Sequence, residues 1–216
     1  MITWNYRGYP PSEVPEDERA HVGGLSMGGN VALNFGIAHP DMSESLIICG
    51  CGSGTVGREA FLAEGEQRAQ EFLAEGILAK VRSFAGLASR RGFAEKDPRG
   101  CAEFLQPLRD HSPVGSAHML RGVQLKRKTI FELEPELKRL EVPSLVVVGD
   151  QDEPCLEPSL FMKRHLPHAG LVMLPMTGHT ANIEEPALFN LTVSEFLAAV
   201  ENGRWGSWKA EKLGRP

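Results

Sequence analysis

The run Gly24-Leu25-Ser26-Met27-Gly28-Gly29 constrains the fold more than any other feature of this chain. An apolar segment, His21–Leu25, leads into it, and a helical pattern, Asn30–His39, follows. A serine at a tight strand-to-helix turn has crowded backbone neighbours, so we expect Gly24 and Gly28 to lie where a side chain has no room. The pattern therefore predicts a sharp turn that exposes the serine hydroxyl at the end of a strand.

Short apolar segments along the chain have the composition of strands buried on both faces. Helical patterns lie between or after them, which predicts an α/β fold with a mostly parallel sheet flanked by helices. The last helix is predicted to start at Pro186, with a buried stripe of Leu188, Leu191, Phe196 and Val200. The predicted strands are Met1–Tyr6, His21–Leu25, Ser45–Gly50, Ser144–Gly149 and Gly170–Leu174.

The middle of the chain differs in predicted secondary structure from the parts on either side of it. Strand patterns are absent from residue 54 to about residue 139, which predicts a helical insertion, 54–139, within a core formed by 1–53 and 140–216. The apolar stripe of its first helix fits either packing onto the layer beneath or a lid over a pocket. The predicted helices of the insertion are Arg58–Glu75, Ile77–Ala88, Pro98–Arg109 and Pro113–Leu120.

Composition excludes several classes of function. A formal charge of −5 and a pI near 5.8 leave no large basic surface, so we expect neither nucleic acid nor an anionic membrane as a partner. The longest apolar stretches are of strand length, and the amino terminus lacks the pattern of a leader. The four cysteines are too few for a disulfide scaffold, and we expect reduced thiols in a cytoplasmic protein.

No pattern for a metal or cofactor is found. Cys49-Gly50-Cys51 lacks the second pair of ligands that zinc would need. The glycines around Ser26 do not fit the dinucleotide-binding spacing, and no P-loop lysine follows them. We therefore expect neither a cofactor nor a metal.

Two further residues follow apolar strands. Asp152 comes shortly after Ser144–Gly149, and His179 lies in the loop after Gly170–Leu174, so both are expected at the carboxyl edge of a parallel sheet. We favour Asp152 over Asp150, because a residue directly after a strand often makes local turn hydrogen bonds. The order serine, aspartate, histidine predicts a catalytic triad of Ser26, Asp152 and His179, with the Met27 N–H as an oxyanion donor.

The chain resembles the α/β-hydrolase superfamily of serine hydrolases. The resemblance is carried by Arg7-Gly8-Tyr9, Gly24 to Gly29, Gly149-Asp150-Gln151-Asp152, and Gly178-His179 with the following Asn182-Ile183-Glu184-Glu185-Pro186. It implies that Ser26 is the nucleophile, His179 the general base and acid, and Asp152 its orienting carboxylate. It also implies that the inserted helices form a cap over the pocket.

The sequence departs from that family upstream of the serine. Members begin with several more strands and carry a His-Gly pair that supplies a second oxyanion donor, whereas no such pair precedes Ser26 here. The link between the first two predicted strands is short, and its 12 residues Arg7 to Glu18 include three prolines. We expect either a shortened relative without the early strands or the ordered pieces of a longer chain.

The expected activity is hydrolysis of a small-molecule carboxylic ester through an acyl-enzyme. Hydrolysis of carbon–carbon bonds and cofactor-free perhydrolysis use the same three residues and remain alternatives. A catalytically silent or truncated relative that binds a small ligand is the alternative from another class.

Overall fold

The sheet at the centre of the fold is parallel throughout. The computed structural model describes residues 19–206, so the predicted strand Met1–Tyr6 and the Arg7-Gly8-Tyr9 turn lie outside the described residues. Within that range four strands pair in the order β1-β2-β3-β4, which confirms the predicted α/β class. The strands are β1 (Ala20–Leu25), β2 (Ser43–Cys49), β3 (Ser144–Gly149) and β4 (Ala169–Leu174).

The register of the sheet brings the ends of the strands together. Leu25 lies opposite Cys49, Cys49 opposite Val147, and Gly149 opposite Leu174. Because all four strands run in the same direction, their carboxyl ends form one edge, where ligands bind in open α/β sheets. The loops that follow β1, β3 and β4 carry the three candidate residues to this edge.

Helices cover the sheet and form the insertion between β2 and β3. The predicted helix Ile77–Ala88 ends three residues early, and Pro98–Arg109 continues as a 3-10 turn after Leu105, because Pro107 has no N–H to donate. Within residues 19–206, no helix has the length and apolar character needed to cross a bilayer. The helices are α1 (Met27–Ala38), α2 (Arg58–Glu75), α3 (Ile77–Ala85), α4 (Arg91–Lys96), α5 (Pro98–Leu105), α6 (Pro113–Met119), α7 (Glu134–Leu137), α8 (Glu153–His165), α9 (Ala181–Glu184) and α10 (Pro186–Glu201), with 3-10 turns at Pro40–Met42, Ala88–Arg90, Gln106–Asp110 and Phe131–Leu133 and a π-helical turn at Leu120–Gln124.

The core lies on both faces of the sheet. Alternation along β3 sends Val146 to one face, with Leu33 of α1 and Met162 of α8, and sends Leu145 and Val147 to the other. Ile130, Leu133 and Leu137, which the sequence places in the insertion, pack into the first of these clusters. We therefore propose that the insertion ends before Ile130.

The buried face of α10 differs in part from the predicted stripe. Phe196 is buried and Val200 is partly buried, as predicted, but Leu188 and Leu191 are exposed. The positions that join Phe196 against the sheet are Phe189, Val193, Leu197 and Val200. In the first turns of the helix the predicted stripe lies on the wrong side, because apolar residues occupy both sides of those turns.

We expect Phe196→Ala to lower the free energy of unfolding by about 3–5 kcal/mol, because it leaves a cavity beneath the sheet. Leu191→Ala, on the exposed side of the same helix, should change it by less than about 0.5 kcal/mol. Urea denaturation of both variants measures the difference. Equal losses would show that Leu191 is also buried in the folded protein.

Candidate active site

Ser26 occupies a strained turn between β1 and α1. Its backbone has φ 59° and ψ −113°, a left-handed conformation that costs a non-glycine residue about 1–3 kcal/mol. Its N–H donates to the carbonyl of Cys49 at 2.8 Å, and its own carbonyl accepts from Asn30 N–H at 3.0 Å. The structure thus contains the sharp strand-to-helix turn predicted from the sequence, anchored on the end of β2.

Of the two glycines that were predicted to lie where a side chain has no room, only Gly24 does so. A Cβ at Gly24 would lie 2.2 Å from the Gly28 carbonyl carbon, so Gly24 must lack a side chain. The same prediction for Gly28 is wrong, since a Cβ there meets no atom within 4 Å. Gly29 is the second crowded position, because its Cβ would lie 2.9 Å from the Cys49 carbonyl oxygen.

Met27 is the first residue of α1. Its N–H therefore has no acceptor within the helix, and the positive end of the helix dipole lies at the same place. An oxyanion that formed beside Ser26 would meet this N–H. Met27 thus has the backbone position expected of the predicted donor, and that role stays a proposal.

Asp152 and His179 are joined directly. His179 Nδ1 lies 2.7 Å from Asp152 Oδ2, and the two residues are only 8% and 1% exposed. Asp150 instead accepts a hydrogen bond from the N–H of Thr177 at 3.1 Å. Its partner lies in the loop after β4, so the expectation of a local turn bond at Asp150 is wrong, while the histidine's partner is Asp152.

The loop that carries His179 is held from two sides. The Gly178 N–H donates to Glu184 Oε2 at 2.9 Å, and the side chain of Glu184 is completely buried. The His179 N–H donates to the carbonyl of Ser89, in the insertion, at 2.7 Å. A Cβ at Gly178 would lie 2.1 Å from that carbonyl oxygen, so only glycine fits between loop and insertion.

Gly50 lies between the backbone anchor of Ser26 and the side chains of Asp152 and His179. It follows Cys49, on which the Ser26 N–H is anchored, and a Cβ on it would lie 3.3 Å from Asp152 Oδ2 and 3.5 Å from His179 Cε1. Between Ser26 Oγ and His179 the described part of the chain shows no hydrogen bond. Such contacts are often long before substrate binds and tighten in the reacting complex.

Cys155 lies beneath the pair. Its Sγ is 3.3 Å from the Gly50 carbonyl oxygen, and the side-chain donor atoms of Asp152, Cys155 and His179 lie within 4.8 Å of one another. Burial raises the pKa of the Cys155 thiol above its ordinary range, so the thiol stays protonated. A neutral thiol beside a carboxylate and an imidazole that bind each other is a poor donor set for a metal, because metal binding requires a thiolate.

Three residues around the site are not among the predicted site residues. Glu184 belongs to a run that carried the family resemblance, but its role in holding Gly178 depends on the folded loop. Ser89 acts through its backbone carbonyl, which no side-chain pattern reveals. Arg90, which follows it, is buried in the insertion, whereas arginine in a polar helical segment is usually exposed.

A comparison with known families identifies the family of this chain. A family model described as the alpha/beta hydrolase family matches residues 5–190. The chain belongs to this family. The predicted resemblance is therefore confirmed.

Individual relatives are similar at low identity. A 2-hydroxy-6-oxononadienedioate/2-hydroxy-6-oxononatrienedioate hydrolase of Comamonas testosteroni is 27% identical over 84% of this chain and 63% of its own length. The 3-oxoadipate enol-lactonase 2 of Acinetobacter baylyi is 26% identical over 81% of this chain and 62% of its own. A solved malate-bound esterase from Thermogutta terrifontis has a TM-score of 0.72 and 26% identity, covering 85% of this chain and 66% of that one. The chain thus spans a little under two thirds of the length of these two curated relatives.

We expect Gly24→Ala to lower the free energy of unfolding by about 1–3 kcal/mol, because its Cβ would press on backbone atoms. Gly28→Ala has room for its methyl group and lies in a helix, where alanine is favoured over glycine by roughly 0.5–1 kcal/mol. Urea denaturation midpoints test the pair. If the two variants lost the same stability, the different crowding at the two glycines would be refuted.

The four cysteines should resist alkylation in the folded protein. All four are free and buried, and burial raises the pKa of Cys49 to about 12 and that of Cys51 to about 11. At mildly alkaline pH Cys49 and Cys51 carry almost no thiolate, which is the nucleophilic form, and burial keeps the reagent away from Cys101 and Cys155. Mass spectrometry after iodoacetamide treatment should show no labelled site in native protein and four labelled sites in denaturant. Rapid labelling of Cys49 or Cys51 without denaturant would contradict this burial.

Proposed function

We propose that this chain is a serine hydrolase that transfers the acyl group of a small-molecule carboxylic ester to water. The observation that carries the proposal is the 2.7 Å hydrogen bond between His179 Nδ1 and Asp152 Oδ2, beside the strained turn of Ser26. The ionised carboxylate can only accept, so Nδ1 carries the proton and Nε2 remains free to take one. The relatives support an ester as substrate, because a lactone is a cyclic ester and one similar structure is an esterase.

The proposed reaction runs in two halves. Ser26 Oγ attacks the ester carbonyl while His179 Nε2 takes its proton, and Asp152 stabilises the imidazolium that forms. The oxyanion accepts a hydrogen bond from the Met27 N–H at the start of α1. His179 then protonates the departing alcohol, which leaves an acyl-enzyme. His179 then takes a proton from a water molecule that attacks this second ester, and it passes that proton to Ser26 Oγ as the acyl group leaves as a carboxylic acid.

The strain at Ser26 supports the role of nucleophile. A left-handed backbone at a non-glycine residue persists only where the surroundings enforce it, and here the anchors are Cys49 and the close approach of Gly24 to Gly28. The turn keeps Ser26 at the carboxyl end of β1, the edge of the sheet that also carries the histidine loop.

The helical insertion is proposed to act as a cap over this edge. One of its contacts with the histidine loop is the hydrogen bond from the His179 N–H to the Ser89 carbonyl, and Lys96 of the insertion also contacts Glu185 at 2.7 Å. Its own core contains Ala69 and Phe72 of α2, which are both buried. Part of the predicted apolar stripe therefore packs within the insertion, which leaves other residues to contact a substrate.

Labelling and substitution test the assignment of the residues. We expect a fluorophosphonate probe to label wild-type protein and not Ser26→Ala, and we expect Ser26→Ala to lose hydrolysis of 4-nitrophenyl esters at nearly unchanged thermal stability. Intact-mass spectrometry and absorbance at the nitrophenolate band measure the two effects. Substantial turnover by folded Ser26→Ala would mean that another group is the nucleophile.

The two aspartates give a matched comparison. Asp152→Asn should hold the histidine in the wrong tautomer and lower kcat by roughly 10⁴-fold. Asp150→Asn keeps an oxygen that can accept from the Thr177 N–H, so its kcat should stay within a few-fold of wild type. An unimpaired Asp152→Asn would refute the proposed triad.

A further inference from the structure

Arg90 is a buried cation whose N–H groups are not all paired within the described part of the chain. It ends the 3-10 turn Ala88–Arg90 and is 7% exposed. Its Nε and Nη1 are buried, and neither makes a hydrogen bond within residues 19–206. Its guanidinium carbon lies 4.8 Å from the ring centre of Phe84 and 5.7 Å from that of Phe104. The two rings hold the side chain in place and do not supply any acceptor for its N–H groups.

Such an arrangement is unusual, because a desolvated charge is costly unless it is paired. Burial lowers the pKa of Arg90, and the charge of Asp152 only partly opposes this. Arg121, in the same insertion, is paired with a carboxylate in the usual way. Its Nε donates to Glu66 Oε2 at 2.9 Å, and its Nη2 donates to the other carboxylate oxygen. Among residues 19–206, no carboxylate forms a comparable contact with Arg90.

The position of Arg90 places this cation beside the candidate active site. The preceding residue, Ser89, accepts the hydrogen bond from the His179 N–H at 2.7 Å. Gly178 leaves no space between the histidine loop and the same carbonyl. Of the carboxylates, Asp152 is the one whose charge acts most strongly on Arg90. Arg90 therefore directly follows the residue that anchors the His179 loop, and the charge of Asp152, the partner of His179, acts on it.

We propose that Arg90 binds a carboxylate group of the substrate, so that the substrate class is an ester or lactone that also carries a free carboxylate. This inference rests on the proposed hydrolase function and adds the substrate class to it. Guanidinium presents paired N–H groups in a rigid fork that matches a carboxylate with two parallel hydrogen bonds. An incoming carboxylate would supply the acceptors that the protein does not.

Thermal unfolding tests the site without relying on catalysis. Adipate should raise the Tm of the full-length wild-type chain and of Ser26→Ala, because a ligand that binds only the folded state stabilises it. The same additive should leave the Tm of Arg90→Met unchanged. Without adipate, Arg90→Met should unfold at the wild-type temperature or above, since an unpaired buried charge has been removed. If adipate raised the Tm of Arg90→Met as much as that of the wild type, or failed to raise the wild-type Tm at all, the proposal would be overturned.

Kinetics on a matched pair of esters test the substrate class. We expect wild type to hydrolyse 4-nitrophenyl hydrogen adipate with a higher kcat/KM than 4-nitrophenyl hexanoate. Arg90→Met should lose about 10- to 100-fold in kcat/KM on the adipate ester, the range for hydrogen bonds to a charged group, and little on the hexanoate. Arg90→Lys, which keeps the charge but not the fork, should fall between the two.

The exposed neighbour Arg91 provides the control. It lines, with Lys96 and Gln151, a cavity of about 510 Å³ that Arg90 does not line and where an anion could also bind. Arg91→Gln should leave the preference for the adipate ester intact, and a selective loss there would move the carboxylate to that cavity and refute the role of Arg90. Wild-type protein that neither reacts with a fluorophosphonate nor hydrolyses either ester would refute the hydrolase function alone. Stabilisation by adipate that depends on Arg90 would still be measurable in that case.

Discussion

The hydrogen bond from the Ser26 N–H to the Cys49 carbonyl is the contact on which the geometry of the site depends. It ties the turn after β1 to the end of β2 and holds Ser26 in a backbone conformation that it would otherwise leave. The parallel register then brings Asp152 and His179 to the same edge from β3 and β4. Three residues that are far apart in the sequence are thus positioned by one sheet, and each connecting loop needs to be only a few residues long.

Close backbone contacts make this arrangement rigid. Gly24, Gly29, Gly149 and Gly178 each lie where a Cβ would come within 3 Å of another part of the backbone. A Cβ at Gly149, for example, would lie 2.2 Å from the Thr177 carbonyl oxygen, so the aspartate loop packs directly against the histidine loop. The positions of the functional side chains therefore follow largely from backbone packing, and the side chains of Asp150 and Glu184 add hydrogen bonds that hold the histidine loop.

The sequence predicts the sheet well because buried parallel strands are continuous apolar runs, and β3 has the predicted bounds, Ser144–Gly149. The choice of Asp152 over Asp150 rested on an expected local turn bond at Asp150, which the structure does not show, yet Asp152 does lie against His179. The sequence fails where the answer depends on distant contacts. Nothing local distinguishes Gly28 from Gly29, or the exposed Leu191 from the buried Phe196. The burial of Arg90 likewise depends on Phe84 and Phe104, which lie on separate helices.

The hydrogen bond between His179 and Ser89 has a consequence for how such proteins diversify. The first helix of the insertion is also joined to its last part, since the Arg58 guanidinium donates to the Leu125 carbonyl at 2.8 Å. An insertion joined to the histidine loop through its main chain cannot be exchanged as an independent module. A chimaera built by transplanting another helical segment would have to keep the main-chain carbonyl of residue 89 in the same place, against a glycine at residue 178. Recombination between relatives should therefore favour breakpoints that keep these two segments from the same parent.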